Sequence, residues 1–434
     1  MAKILFLVAN FPPELSTGRL EHELSQSFVR NKHSVSLVTS FPRRYLVNKP
    51  TPRVLLPFYK ETIDGIKVLR MGPEFSDRDN VFIRGFEYFF EFFSFFLGGL
   101  ISGKADVIIC SSPPLTLALA GHFIGKIKRA PVIVRVGDLH PQELADMGMI
   151  KSKLLLHFLE LIESFVYKKI DFFTVLSEGY RQHLLRRGAS SSRVWVIPNW
   201  GNTKELKFLE GSNLATVKKE KFVVTYAGTM SWFQDLETMV DAAFRLRNYK
   251  AIHFLFVGDG TQKAFLEEKS RKLKLDNISF FPLKPRLEYL QTLRSSDVCV
   301  VAIQKDVKTT TVPSKLFDIM ACGRPVIANV PFGEISNIIF KAKSGMWIEP
   351  QNPEKFAEAV LKLYKNSNTA HHMGQNGRHY LEANFSLKVA VRRYEQLIKK
   401  LISKSKNRNV LELSAGWTGV QEKQGSSRHH IQLY

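Results

Sequence analysis

Cysteine is scarce: three in 434 residues, at Cys110, Cys299 and Cys322, with no CxxC pair. Neither a zinc ribbon nor a disulfide framework can be built from them, and a reducing cytoplasm fits. The loop after the first apolar run has no GxGxxG, which argues against dinucleotide binding. Carboxylates are outnumbered, 40 to 62 basic residues, for a net charge of +22. Such an excess points to a polyanion: nucleic acid, an anionic membrane surface or a phosphorylated ligand. No aromatic-basic nucleic-acid motif accompanies it, so nucleic acid is not an expected partner.

A clean membrane span is lacking too. Residues 81–102 are rich in aromatics from Phe82 to Phe96, but Arg84, Glu87 and Glu91 interrupt them. Glu87 and Glu91 are four apart and share a helical face, which fits a helix lying on a surface or buried in a core, not crossing. Residues 1–10 are apolar, but they are only strand-length, lack a small-residue cleavage pattern and run into Pro12 and Pro13. They read as a strand, not a signal peptide.

What is present is a rhythm. Short apolar runs at 3–9, 34–39, 106–110, 131–135, 172–175 and 194–197 alternate with helix-length segments such as 19–32 and 153–169. After a polar, lysine-rich stretch the rhythm restarts, with runs at 221–226, 252–257, 278–281, 298–302 and 325–328. This is the pattern of an α/β protein with two Rossmann-like parallel sheets. The expected division is 1–200 and 201–384 for the two domains, 385–403 for a terminal helix, and 404–434 for a disordered tail without sustained period. Ligands of such sheets bind beyond the strands' carboxyl ends, so two facing halves put the site in the cleft.

Two glycines sit at such ends. Gly18 closes the loop after the first run, and Gly228 with Thr229 follows the first run of the second half. Backbone and hydroxyl donors there can receive a diphosphate, although an ordinary turn is the commoner explanation of a lone glycine. The most informative segment is 308–328. Pro313 and Ser314 read as the entry to a helix with Ser314 as N-cap, ending at Gly323. Lys315 then lies in the first turn, where the helix dipole disfavours a cation unless an anion binds. Asp318 shares its face, so one side chain can hold phosphate and the other a ribose diol; a Lys–Asp surface pair is the alternative.

These residues carry a resemblance. Pro12-Pro-Glu-Leu-Ser-Thr-Gly18, Ser111-Ser-Pro-Pro-Leu115, Asp138-Leu-His-Pro141, Ile197-Pro-Asn-Trp200, Tyr226-Ala-Gly228, Val312-Pro-Ser-Lys-Leu-Phe-Asp318 and Pro331-Phe-Gly-Glu334 together resemble the retaining GT-B glycosyltransferases of family four. Within that family the likeness is to the branch that builds bacterial surface polysaccharides (O-antigen or capsule) on lipid-linked acceptors. The resemblance implies the GT-B fold, two Rossmann-like domains facing across a cleft, with a terminal helix able to cross back to the first. It implies transfer of a hexosyl or N-acetylhexosaminyl group from a nucleotide-sugar donor, UDP foremost, to a polyprenyl-diphosphate-linked saccharide, with neither metal nor other cofactor.

The family's two donor-site acids fall on Thr310 and Asp318, so Thr310 or Thr311 would serve the sugar side with a hydroxyl. The family's basic pair after the first strand of the second domain is missing, and Lys315 is the substitute for stabilising the leaving diphosphate. Asp138 or His140 would lie near the reacting sugar, and Gly18, Gly228, Thr229, Ser314 and Glu334 on the donor. A lipid-linked acceptor would also unite the basic charge with the aromatic segment, placing the enzyme on the inner face of the cytoplasmic membrane. A UDP-sugar epimerase of the same fold and a non-catalytic basic membrane binder are the competing readings.

Overall fold

The computed structural model describes residues 1–13, 18–42, 58–72, 81–142, 145, 150, 152–209, 221–307 and 312–424, with 81–88 and 406–424 described by backbone alone. The first sheet contains β1 (Lys3–Val8), β2 (Ser34–Ser40), β3 (Phe58–Ile63), β4 (Ile66–Met71), β5 (Val107–Ser112), β6 (Val132–Val136), β7 (Phe172–Val175) and β8 (Val194–Val196). The order is β3-β4-β2-β1-β5-β6-β7-β8, parallel apart from the β3–β4 pair. The second contains β9 (Phe222–Ala227), β10 (Ile252–Val257), β11 (Ile278–Phe281), β12 (Val298–Ala302), β13 (Val326–Asn329) and β14 (Gly345–Ile348). It is parallel throughout, ordered β11-β10-β9-β12-β13-β14.

The continuous apolar runs exist because both faces of each sheet are covered. In β1, Leu5 and Leu7 enter one core cluster while Ile4, Phe6 and Val8 enter the cluster on the opposite face. Alternating side chains are therefore all buried, as expected for a strand sandwiched between helical layers. Strand order reverses about β1 and β9, whose neighbours are β2 with β5 and β10 with β12. The loops leaving these two strands thus stand at topological switch points, where such sheets open a crevice.

Phe385 is a turn residue, and the terminal helix begins at Leu387. It crosses back onto the first sheet: Tyr394, Leu397 and Ile398 are buried in the cluster that holds Ile133 and Phe172. Tyr394 Oη lies 2.9 Å from Thr174 Oγ1. The helix runs on to Gln424, past the end at 403 expected for it. Residues 425–434 lie outside the described ones.

The aromatic helix Val81–Ile101 has two faces. Phe95 is fully buried and Phe92 and Phe96 pack on the core, whereas Phe89 is 58% exposed, Phe93 45% and Leu97 54%. Gly98 and Gly99 bring it close: a Cβ on Gly98 would stand 2.8 Å from Val38, one on Gly99 2.3 Å from Ile124. One side of the helix is core and the other faces solvent. Among the described residues no helix is long and apolar enough to cross a membrane.

Candidate functional site

β9 ends at Ala227, and the chain turns at Gly228 with φ 140°. Gly258, at the end of β10, presses against it so closely that a Cβ there would sit 1.9 Å from Gly228 O. The two strand mouths meet backbone to backbone, leaving room that side chains would fill. The Gly228 amide is already used by Val257 O at 2.8 Å. Gly228 therefore contributes space, and Thr229, next in this loop, is exposed.

Lys315 supplies the charge. Its helix, Ser314–Ala321, begins at Ser314 itself, with Pro313 in an extended conformation as N-cap and no side-chain cap. This corrects Ser314 as the capping residue: Pro313 occupies the position before the first helical turn, so the serine is already inside. Gly323 at φ 66° does close the other end, its N–H bonding Met320 O. From the first turn Lys315 reaches back to the mouth of β9, where Nζ is 2.7 Å from Tyr226 Oη and 4.1 Å from the ring centroid. A Cβ on Gly228 would be 2.6 Å from the same nitrogen. Tyr226 Oη donates to Thr229 O, leaving its lone pair for the ammonium. Burial lowers the Lys315 pKa to about 7. Among the described residues no carboxylate pairs with it.

Asp318 turns elsewhere. Arg286, the first residue of the helix Arg286–Ser295, grips both its oxygens at 2.9 and 2.8 Å. Arg286 also bonds Glu205 at 2.7 Å, and Tyr289 Oη reaches Asp318 at 3.4 Å. From the first half Arg19 approaches Asp318 to 3.6 Å and Glu23 to 2.8 Å, while Trp200 Nε1 donates to Glu23 at 2.7 Å. Burial by itself would raise the Asp318 pKa; Arg19 and Arg286 outweigh it and hold the carboxyl below its ordinary range. Burial pushes Glu23 up, against the pull of Arg19.

Asp318, the residue expected at the ribose, is buried and held by Arg286, so Lys315 and Asp318 are not a surface pair. Helical spacing gives them one face, but length separates them: the lysine's four-carbon stem reaches β9, while the aspartate stays against its helix and meets Arg286. Arg286 itself is missing from the sequence-based site. Like Lys315, it is a cation in a first helical turn, and the same dipole argument would have found it.

Other expected residues are placed as follows. Gly18 caps the helix Arg19–Arg30 at φ 80°, and a Cβ there would meet Asn10 O at 2.4 Å, so the switch-point loop demands glycine. Asp138 is exposed and His140 half-buried in the loop after β6. Glu334 opens the helix Glu334–Ala342 and accepts the backbone N–H of Glu178 at 3.2 Å, joining the two halves. Thr310 and Thr311 lie outside the described residues. The geometry thus gathers Gly228, Thr229 and Lys315 in one place, with Asp318 buried one turn further along the helix of Lys315 and held by Arg286.

Comparisons with known proteins give the family and the fold. Residues 18–200 match the family model described as glycosyl transferase 4-like domain, and residues 213–380 that described as glycosyl transferases group 1. The chain is 22% identical over 373 residues to WcaI of Escherichia coli strain K12, whose name assigns it as a glycosyl transferase to colanic acid biosynthesis; the match covers 82% of this chain and 91% of that one. Among solved structures, sucrose-phosphate synthase from Thermosynechococcus elongatus superposes with a TM-score of 0.72 at 17% identity, over 93% of this chain and 100% of the other. Anabaena Alr3699/HepE in complex with UDP-glucose gives 0.65 at 14%, over 92% and 100%.

Proposed function

The chain is a glycosyltransferase of the GT-B fold, a 4-like domain followed by a group 1 domain, and from that premise we propose that it transfers a sugar from a nucleoside diphosphate to a lipid-linked saccharide. The observation that carries the donor is Lys315: a half-buried cation with no carboxylate partner among the described residues, at the glycine-lined mouth of β9. A diphosphate placed there gains a charge-assisted bond and relieves the cost of an unpaired buried ammonium. UDP is the nucleotide we favour, supported by the UDP-glucose complex of the HepE neighbour.

In the proposed reaction the C1–O bond to the diphosphate breaks and the acceptor oxygen bonds C1 on the same face. The acceptor proton passes to the departing diphosphate oxygen, so configuration is retained. Lys315 takes up charge on the leaving group in the role a metal ion plays elsewhere. Asp138 or His140, on the first domain's loop, orients the acceptor hydroxyl, and Thr310, Thr311 and Glu334 hold the donor sugar. To test this, purified protein is incubated with labelled UDP-sugars and polyprenyl-diphosphate-linked saccharides. Labelled lipid product supports the reading; interconversion of the UDP-sugar without acceptor would replace transferase by epimerase.

A lipid-linked acceptor requires the protein to meet a membrane, in our proposal the inner face of the cytoplasmic membrane. The exposed side of the aromatic helix is the surface for it, and the glycan assembled is in our proposal a surface polysaccharide, a reading supported by the assignment of WcaI to colanic acid biosynthesis. Replacing Phe89, Phe93 and Leu97 together by serine is expected to abolish sedimentation with anionic vesicles while leaving the melting temperature near wild type. Phe95→Ser, by contrast, is expected to cost about 3–5 kcal/mol of stability, because that ring is fully buried. Equal vesicle binding by the triple variant would remove this helix from the membrane contact.

A further inference from the structure

A second charged hollow lies at the opposite end of the first sheet, remote from the switch-point loops. It sits below the amino-terminal ends of β6 and β7, between the end of the helix Leu115–Lys128 and the terminal helix, with a volume of about 830 Å³. That is within the size range of small-molecule sites. Six cations line it: Lys126, Arg129, Lys169, Arg193, Lys400 and Lys404. The lining carboxylate, Asp171, is turned to the backbone, accepting the Val132 N–H at 2.9 Å. Among the described residues no carboxylate forms an ion pair with any of the six.

Arg193 is held in place by the carbonyls of Lys168 and Ile170 at 3.0 and 2.9 Å, and Lys400 Nζ rests 5.4 Å from the Trp195 ring. Six like charges gathered from four chain segments repel one another, and an anion would offset that repulsion. Burial, then the nearby Lys126, lowers the pKa of His122 on the hollow's wall.

The rim decides what kind of anion fits. His122 lies edge-on to Phe165 at 6.2 Å, and its neighbour Phe123 lies edge-on to Phe92 at 6.2 Å. Phe123, Phe165 and Ile127 are exposed, as are Phe93 on the aromatic helix and Phe158 and Leu161 on the helix Lys153–Lys169. A ligand with phosphate at one end and hydrocarbon at the other matches both parts.

We propose that this hollow receives the phosphate headgroup of an anionic phospholipid, whose chains run along the neighbouring apolar face. The proposal rests on the membrane reading above and adds a defined headgroup site, partly built by the C-terminal helix. It is independent of the donor site.

The test uses full-length protein and vesicles of phosphatidylcholine with or without about one-third phosphatidylglycerol. Lys126, Lys169, Lys400 and Lys404 are changed together to glutamine, and a control carries Lys341→Gln, Lys355→Gln, Lys362→Gln and Lys365→Gln, the same charge change on the exposed second half. Melting curves verify that both fold. The expected result is a loss of at least about tenfold in affinity for phosphatidylglycerol vesicles in the first variant, and little change in the control. Equal losses in both would reduce the effect to net charge and overturn the site. Wild-type binding that ignores phosphatidylglycerol and the four substitutions would also overturn it, while leaving apolar docking intact. Binding to neither vesicle would sink both readings. A melting shift with inorganic phosphate that only the first variant loses, beside unchanged vesicle binding, would make it a soluble-anion site and overturn the lipid.

Discussion

Lys315→Gln is expected to lower kcat/KM by about 10²–10³-fold, the range for losing a preorganised group that stabilises charge on the leaving side. It should also remove a pH dependence. In the free protein burial holds the Lys315 pKa near 7, so wild-type kcat/KM is highest below that pH and declines as the ammonium loses its proton. A bound diphosphate raises the lysine's pKa, because opposite charge favours the protonated form. The fall in kcat at saturating donor therefore begins at higher pH than the fall in kcat/KM. The variant, with no proton to lose there, should be weak and flat across this range. An alkaline limb that persists in the variant would assign the titration to another group and take Lys315 out of the phosphate site.

This lysine was legible in the sequence because its position conflicts with local preference: a cation in a first helical turn is disfavoured until something anionic arrives. The strands were legible for a related reason. A parallel sheet covered on both faces needs unbroken apolar runs, and Ile252–Val257, Ile278–Phe281 and Val298–Ala302 emerge with the bounds read from them. Three strands escaped. β3 is an edge strand whose residues alternate between exposed and half-buried, with Lys60 and Glu61 in its middle, and it pairs only with β4. β4 has the charged Lys67 and Arg70 inside it, the latter buried against Glu61. β14 begins at Gly345, where a Cβ would stand 1.9 Å from Val326 O, and glycine normally counts against a strand. The environment of Asp318 was illegible in a deeper sense. Its partners Arg286 and Arg19 are 32 and 299 residues away in sequence, and only the docking of the two halves brings the second of them within reach.

That docking makes Asp318 the subject of the other large effect. Asp318→Ala should destabilise the protein by about 3 kcal/mol, at the lower end of the cost of breaking a buried ion pair, because Glu205 and Glu23 still partly compensate the two arginines. Asn at the same position should do little better, since its amide cannot accept both N–H groups of Arg286 as the carboxylate does. The pH dependence has a definite sign. The folded pKa of Asp318 is depressed, so its stabilising contribution is complete above the unfolded value of about 4 and is lost as pH falls through the lower folded value. Wild-type stability should therefore drop more steeply on acidification than that of Asp318→Ala, and the difference between them should shrink. Urea unfolding followed from neutral to acidic pH measures both quantities. A carboxylate whose task is to hold ribose gives the opposite pattern: an unchanged urea midpoint and a weakened Kd for UDP. Because Arg19 belongs to the first half and Arg286 to the second, loss of Asp318 should also loosen the contact between halves, and donor affinity would then fall through the cleft rather than through a missing ribose bond.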